Sequence, residues 1–86
     1  MEYFVYVLKS LKDNNYYIGL SSDVEKRIKQ HNSGKTKSTK HRRPFKLIYK
    51  EKYNNLQEAR KREKFLKSYS GVSEKRSIIN ESDNGE

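Results

Sequence analysis

The sequence predicts a small α/β domain of the α+β kind. It holds a three-stranded, mainly antiparallel sheet flanked by helices, in the order β-β-α-β-α with a short C-terminal helix after them. Three observations predict it. Two aromatic and β-branched runs, Tyr3-Phe4-Val5-Tyr6-Val7-Leu8 and Tyr16-Tyr17-Ile18-Gly19-Leu20, are split by Asp13-Asn14-Asn15, which reads as a β-hairpin. Two capping boxes, Ser22-Asp23-Val24-Glu25 and Asn55-Leu56-Gln57-Glu58, each open an amphipathic stretch. Between them, after Pro44, Phe45, Leu47 and Tyr49 alternate with Lys46 and Lys50, the pattern of a third strand at a sheet edge.

In the first strand Phe4, Tyr6 and Leu8 point one way and Tyr3, Val5 and Val7 the other, so neither face is polar and both must be covered. The second strand sets Tyr17 and Gly19 against Tyr16, Ile18 and Leu20. Whether Tyr6 and Tyr17 share a face depends on a register that so long a loop leaves open. The second run passes through Gly19 into a helix start, a corner where the backbone admits close approach and free N–H groups suit an anion.

Ser22 caps the first helix and Gly34 ends it. Val24, Arg27, Ile28 and His31 fall at helical spacing on the stripe that faces the sheet, so a guanidinium and an imidazole stand where apolar residues belong. The plain reading is an Arg27 paired with a structural carboxylate and a snorkelling His31. The second helix runs to about Ser68 with Leu56, Ala59, Glu63 and Leu66 on its core stripe. A carboxylate there is costly without a cation or a metal. Glu25, Glu58 and Glu74 read as caps or solvated faces. Phe65 and Tyr69 lie on the far side, to be covered by the segment after Gly71, where residues 73–79 form a last short helix.

Composition limits the rest. At 86 residues the chain makes one small domain, taken as residues 1–79, with a thin core. Residues 80–86 hold Glu81, Asp83 and Glu86 without a base and read as a disordered acidic tail. With no cysteine, neither a disulfide framework nor a thiolate metal site holds the fold together. No run spans a bilayer and no signal peptide opens the chain, so the expectation is a cytoplasmic protein without a membrane partner. The net charge is +9, from 20 Lys and Arg against 11 Asp and Glu. Lys35, Lys37, Lys40, Arg42, Arg43 and Lys46 crowd one acid-free loop among Thr36, Ser38, Thr39 and His41, the composition of a phosphate-binding surface or of a merely solubilising loop.

Taken together, Tyr6, Tyr17-Ile18-Gly19, Arg27, His31 and Glu63, with the Asn32-Ser33-Gly34 helix end and the run Glu58 to Lys64, resemble the GIY-YIG nuclease superfamily. The layout is close to that of its small single-domain bacterial members, which are similar to the nuclease domain of the excision-repair endonuclease. The likeness covers residues 3–79. The "YIG" half is intact, whereas the "GIY" half reads Phe4-Val5-Tyr6 and lacks the glycine. The resemblance implies a metal-dependent endonuclease cutting DNA phosphodiesters, leaving 5′-phosphate and 3′-hydroxyl, in repair or recombination. It also implies roles. Tyr17 sits beside the attacking water and Tyr6 beside the scissile phosphate, Arg27 binds that phosphate, His31 moves a proton or positions substrate, and Glu63 holds one Mg2+ or Mn2+. One carboxylate suffices for Mg2+, which keeps its waters. A tyrosine of pKa about 10 is a poor base at neutral pH, so either Tyr17 or His31 remains open as the base.

Gly19 and the basic-loop residues would then contact nucleic acid, DNA foremost, by shape, since no recognition helix or zinc finger appears. No separate targeting domain is visible, which leaves room for a partner protein. Oligomeric state is not readable. Two other functions compete: a nucleic-acid-binding module using residues 35–46 without cleavage, and a protein-interaction module with vestigial motifs.

Overall fold

The computed structural model describes residues 1–83. Strands β1 (Tyr3–Ser10) and β2 (Tyr16–Ser21) form the hairpin, and helix α1 (Val24–Ser33) follows. A 3-10 turn (Lys40–Arg42) leads into β3 (Phe45–Tyr53), then α2 (Leu56–Lys67), a second 3-10 turn (Tyr69–Gly71) and α3 (Val72–Ser82). The sheet order is β2-β1-β3 and both pairings are antiparallel. The central strand is therefore the one whose two faces are both apolar. Val5 and Val7 pack with Ile18, Ala59, Leu66 and Ile78 on the α2/α3 side, and Tyr6 and Leu8 pack with Val24 and Phe45 on the α1 side.

The hairpin turn places Asn14 at φ 61, the left-handed conformation that Asn tolerates better than most residues. Ser10 Oγ accepts from the backbone N–H of Lys12 and Asp13, and Asp13 accepts from Asn15. These bonds fix the register that the sequence left open. Tyr6 stands opposite Gly19 and Leu8 opposite Tyr17, so Tyr6 and Tyr17 are diagonal neighbours on one face.

Several expectations need correction. Asp23, not Ser22, caps α1: its carboxylate accepts from Lys26 N–H, while the preceding Ser21 hydroxyl is engaged in a turn with the Asp23 backbone. Glu25 is left as a first-turn charge, favourable to the helix dipole. In β3 the register slips between Val7 and Leu8, inserting Ile48 between Leu47 and Tyr49. That bulge turns Tyr49 to the α2/α3 face while Phe45 stays on the α1 face, so the strict alternation of Phe45, Leu47 and Tyr49 fails.

Phe65 and Tyr69 are exposed, at 40% and 95%, because α3 covers the Ala59–Leu66 side of α2 and leaves theirs open. α3 itself is longer than expected, reaching Ser82. Asp83 caps it and accepts from Lys9 Nζ and Tyr16 Oη, each at 2.8 Å. The acidic tail expected from residue 80 is thus ordered and anchored through 83, and residues 84–86 lie outside the described part.

Opposite α1, Glu51 accepts from Tyr49, from Tyr53 at 2.6 Å and from Arg62 at 2.6 Å, and Arg62 also bonds Glu74 at 2.8 Å. Glu74 is therefore a member of a cross-element ion network rather than a free surface charge. Burial alone would raise the Glu51 carboxyl, but the bonds from Tyr49, Tyr53 and Arg62 outweigh it and hold it below the usual range. No described helix is long and apolar enough to cross a membrane.

Candidate active site

The site grows from the glycine in β2. A Cβ on Gly19 would stand 2.4 Å from the Tyr6 hydroxyl oxygen, so the absence of a side chain lets the Tyr6 ring lie flat across the neighbouring strand. That posture carries the phenol toward α1, where its oxygen meets His31 Nε2 at 3.3 Å. Tyr17 flanks the same imidazole edge-on, with ring centroids 4.9 Å apart, and Phe45 closes the other side at 5.8 Å. His31 is fully buried.

The second imidazole nitrogen, Nδ1, meets Thr39 Oγ1 at 2.8 Å. The Thr39 hydroxyl donates in turn to the Thr36 carbonyl at 3.4 Å, so it accepts from Nδ1–H. The hydrogen-bond network thereby assigns the tautomer: Nε2 is bare and accepts from Tyr6. Burial, reinforced by the nearby Arg27 charge, pushes His31 below the ordinary imidazole range and keeps it neutral. The Tyr6 phenol is pushed up to about 12, by burial first and the Tyr17 neighbour next. Arg27 pulls it down and Glu63 adds a smaller upward push.

Arg27 leaves the same face of α1, partly buried, its guanidinium held by Gln30 at 2.9 Å. It finds no carboxylate within ion-pair reach among the described residues, so the structural-pair reading fails for it. A groove formed by Ser21, Ser22, Asp23, Lys26, Arg27 and Gln30 opens on it. Glu63, reaching in from α2, is largely buried and accepts from Lys67 Nζ at 3.0 Å. The same Lys67 ammonium lies 5.9 Å from the centre of the Tyr17 ring. The arrangement thus gathers Tyr6, Tyr17 and His31 in contact, with Arg27 and Glu63 close enough for their charges to act on the Tyr6 phenol.

A match to the family model described as the GIY-YIG catalytic domain spans residues 2–76. The chain belongs to the GIY-YIG family. Among its relatives, a UPF0213 protein of Staphylococcus saprophyticus is 43% identical over 70 residues, covering 80% of this chain and 84% of that one. The UPF0213 protein YazA of Bacillus subtilis is 46% identical over 66 residues, 76% of this chain and 66% of its own. The solution NMR structure of a UPF0213 protein from Bacillus halodurans superposes with a TM-score of 0.58 at 34% identity, covering 95% of this chain and 87% of that one. GIY-YIG domains are nuclease domains acting on nucleic acid, typically with a divalent metal. Glu63 is the carboxylate that α2 brings to this face. No group of three or more His, Asp or Glu gathers among the described residues, so a hydrated hard cation sharing substrate oxygens suits it better than a caged one.

The basic loop divides. Lys35, Lys37 and Lys40 are exposed. Arg42 is committed to the fold: it pairs with Asp13 at 3.0 Å, bonds the Tyr16 carbonyl and lies over Phe45. The Arg43 guanidinium packs on Gly34, and Lys46 sits close enough to Asp83 for its charge to hold that carboxyl down. Sequence reasoning missed Thr39, the partner that orients His31, and nothing local marked it. It also missed Lys67, although Glu63 to Lys67 is an i,i+4 acid-to-base pair readable from spacing alone.

Proposed function

We propose that the protein is a divalent-metal-dependent endonuclease that hydrolyses DNA phosphodiester bonds, selecting substrate by shape rather than base sequence, as in repair or recombination. The convergence of Tyr6, Tyr17, Arg27, His31 and Glu63 on one face supports this reading. Arg27 binds the scissile phosphate and neutralises charge as the pentavalent state forms. Glu63 would hold Mg2+ or Mn2+, which would supply further charge neutralisation and make the attacking water more acidic. Tyr17, half-buried at the mouth, orients the attacking water.

His31 is fully buried and Tyr6 is 1% exposed, so the attacking water reaches neither at rest; substrate binding opens the Tyr6 hydroxyl to it, and the proton travels through Tyr6 to His31. As the oxygen–phosphorus bond forms, the water proton passes to Tyr6 Oη while the phenol proton passes to His31 Nε2. The bond to the 3′-oxygen breaks, that oxygen takes a proton from solvent water, and the His31 imidazolium returns its proton to the solvent through Tyr6, giving 5′-phosphate and 3′-hydroxyl. Exposed Lys35, Lys37 and Lys40 contact flanking phosphates, and a partner chain supplies any targeting.

Incubation with duplex, single-stranded, flap and junction DNA in magnesium and in manganese tests the reading. Cleavage leaving 5′-phosphate ends is expected, fastest on a branched substrate. Salt-dependent binding with no product in either metal would leave a binding module instead.

A further inference from the structure

Beside the metal carboxylate, one cleft is lined by Tyr16, Tyr17, Ile18, Lys67 and Lys75. It carries two ammonium groups and no carboxylate. Lys75, half-buried on α3, meets no acid among the described residues. Lys67 is held at the cleft wall by Glu63 at 3.0 Å, with its Nζ over the Tyr17 ring. Two cations sharing a concave site need an anion. One of them, however, is neutralised by the carboxylate that the proposed function assigns to the metal.

We propose that this cleft seats a second backbone phosphate of the nucleic acid, between Lys67 and Lys75, and that a divalent cation at Glu63 releases Lys67 to hold it. Lys67 is thus the resident counter-ion of the empty carboxylate and a positioning residue in the loaded site. Glu63 carries one negative charge, and the metal and the ammonium compete for it. When the metal takes the carboxylate, the ammonium gains a phosphate in exchange. Metal and substrate then favour each other's binding through Lys67, a reciprocity that linkage requires. The inference rests on Glu63 being the metal ligand, and its test separates the two.

The experiment is a salt titration of DNA binding by the full chain, in chelator and with calcium in place of magnesium. Each phosphate contact contributes about 0.9 to the log–log slope on duplex DNA. Lys75→Met should flatten the slope by about 1 in both conditions. Lys67→Met should flatten it by about 1 in calcium and leave it unchanged in chelator. Glu63→Gln should steepen it by about 1 in chelator, because Lys67 is freed without metal, and Glu63→Gln/Lys67→Met should reverse that gain. Calorimetric titration of calcium should show tighter binding in Lys67→Met.

A Lys67→Met effect equal in both conditions, or no gain in Glu63→Gln, would overturn the exchange. A gain in Glu63→Gln with calcium affinity unaltered would uphold the ion-pair release and overturn the metal assignment alone.

Discussion

The Tyr6 hydroxyl lies 3.3 Å from His31 Nε2, and Thr39 Oγ1 lies 2.8 Å from Nδ1 on the opposite side of the ring. A buried imidazole held at both nitrogens has one tautomer, here Nδ1–H, and its proton-accepting atom faces a phenol. Nitrogen-15 spectra should therefore show a single neutral Nδ1–H imidazole for His31 at pH 7. Thr39→Val leaves Nδ1–H buried without a partner, at a cost of about 1–3 kcal/mol. It should lower Tm and mix the tautomers. An unchanged spectrum would mean that Thr39 does not set the ring.

Stability should fall in two steps as pH drops. The folded state holds His31 below its ordinary pKa of about 6.5, so below that pH the unfolded chain binds the extra proton and folding loses free energy. The second step involves Glu51, Asp13 and Asp83, whose folded pKa values are all depressed. Their contribution is complete above the ordinary carboxylate range and is lost below about pH 4. Asp83 is held down first by Lys9 and then by Tyr16, and Asp13 by the Asn15 backbone N–H. Urea midpoints measured from pH 8 to pH 3 should show both losses. In His31→Phe the upper one should disappear.

Gly19 is defined by what a methyl group there would strike: Tyr6 Oη at 2.4 Å and Cζ at 2.5 Å. The Tyr6 ring is hemmed by His31 and Tyr17 and has little freedom to yield. Gly19→Ala should cost about 1–3 kcal/mol, as overpacking does, and swing the phenol off His31. Cleavage should fall more than the Tm shift explains. Tyr6→Phe in the same background should not restore Tm, since ring carbons collide as well as the oxygen.

Arg62 is predicted to matter for folding and not for chemistry. Its removal leaves Glu51, itself largely buried, without its cation. Arg62→Met should cost about 3 kcal/mol, the lower end for breaking a buried pair. At about 4–8 °C per kcal/mol for a domain of this size, that lowers Tm by at least about 12 °C. Folded Arg62→Met at low temperature should bind nucleic acid as the parent does. A loss of binding there would tie this network to the site.

Whatever depends on period and on local turn chemistry was legible in the chain. The two apolar faces of residues 3–8, the arginine and histidine on one stripe of α1, the Asn55 cap and the glycine at the end of α1 all stand as read. What failed was set by partners distant in sequence. The bulge at Ile48 appears only when β3 is laid against β1. Thr39 becomes a histidine partner only because the loop folds over α1, and Asp83 an anchor only because α3 returns to the hairpin. Charge density did not reveal which basic-loop residues were already paired, and Arg42 is held by Asp13, whose partner lies 29 residues along the chain.

The most direct measurement of the central claim is the cleavage rate of Glu63→Gln and Arg27→Met on a branched DNA substrate in magnesium, beside thermal melts of each variant. A loss of about 100-fold or more is expected in both, comparable with removing one charge-stabilising group from an active site, with each variant still folded. Parental cleavage rates in either folded variant would contradict it.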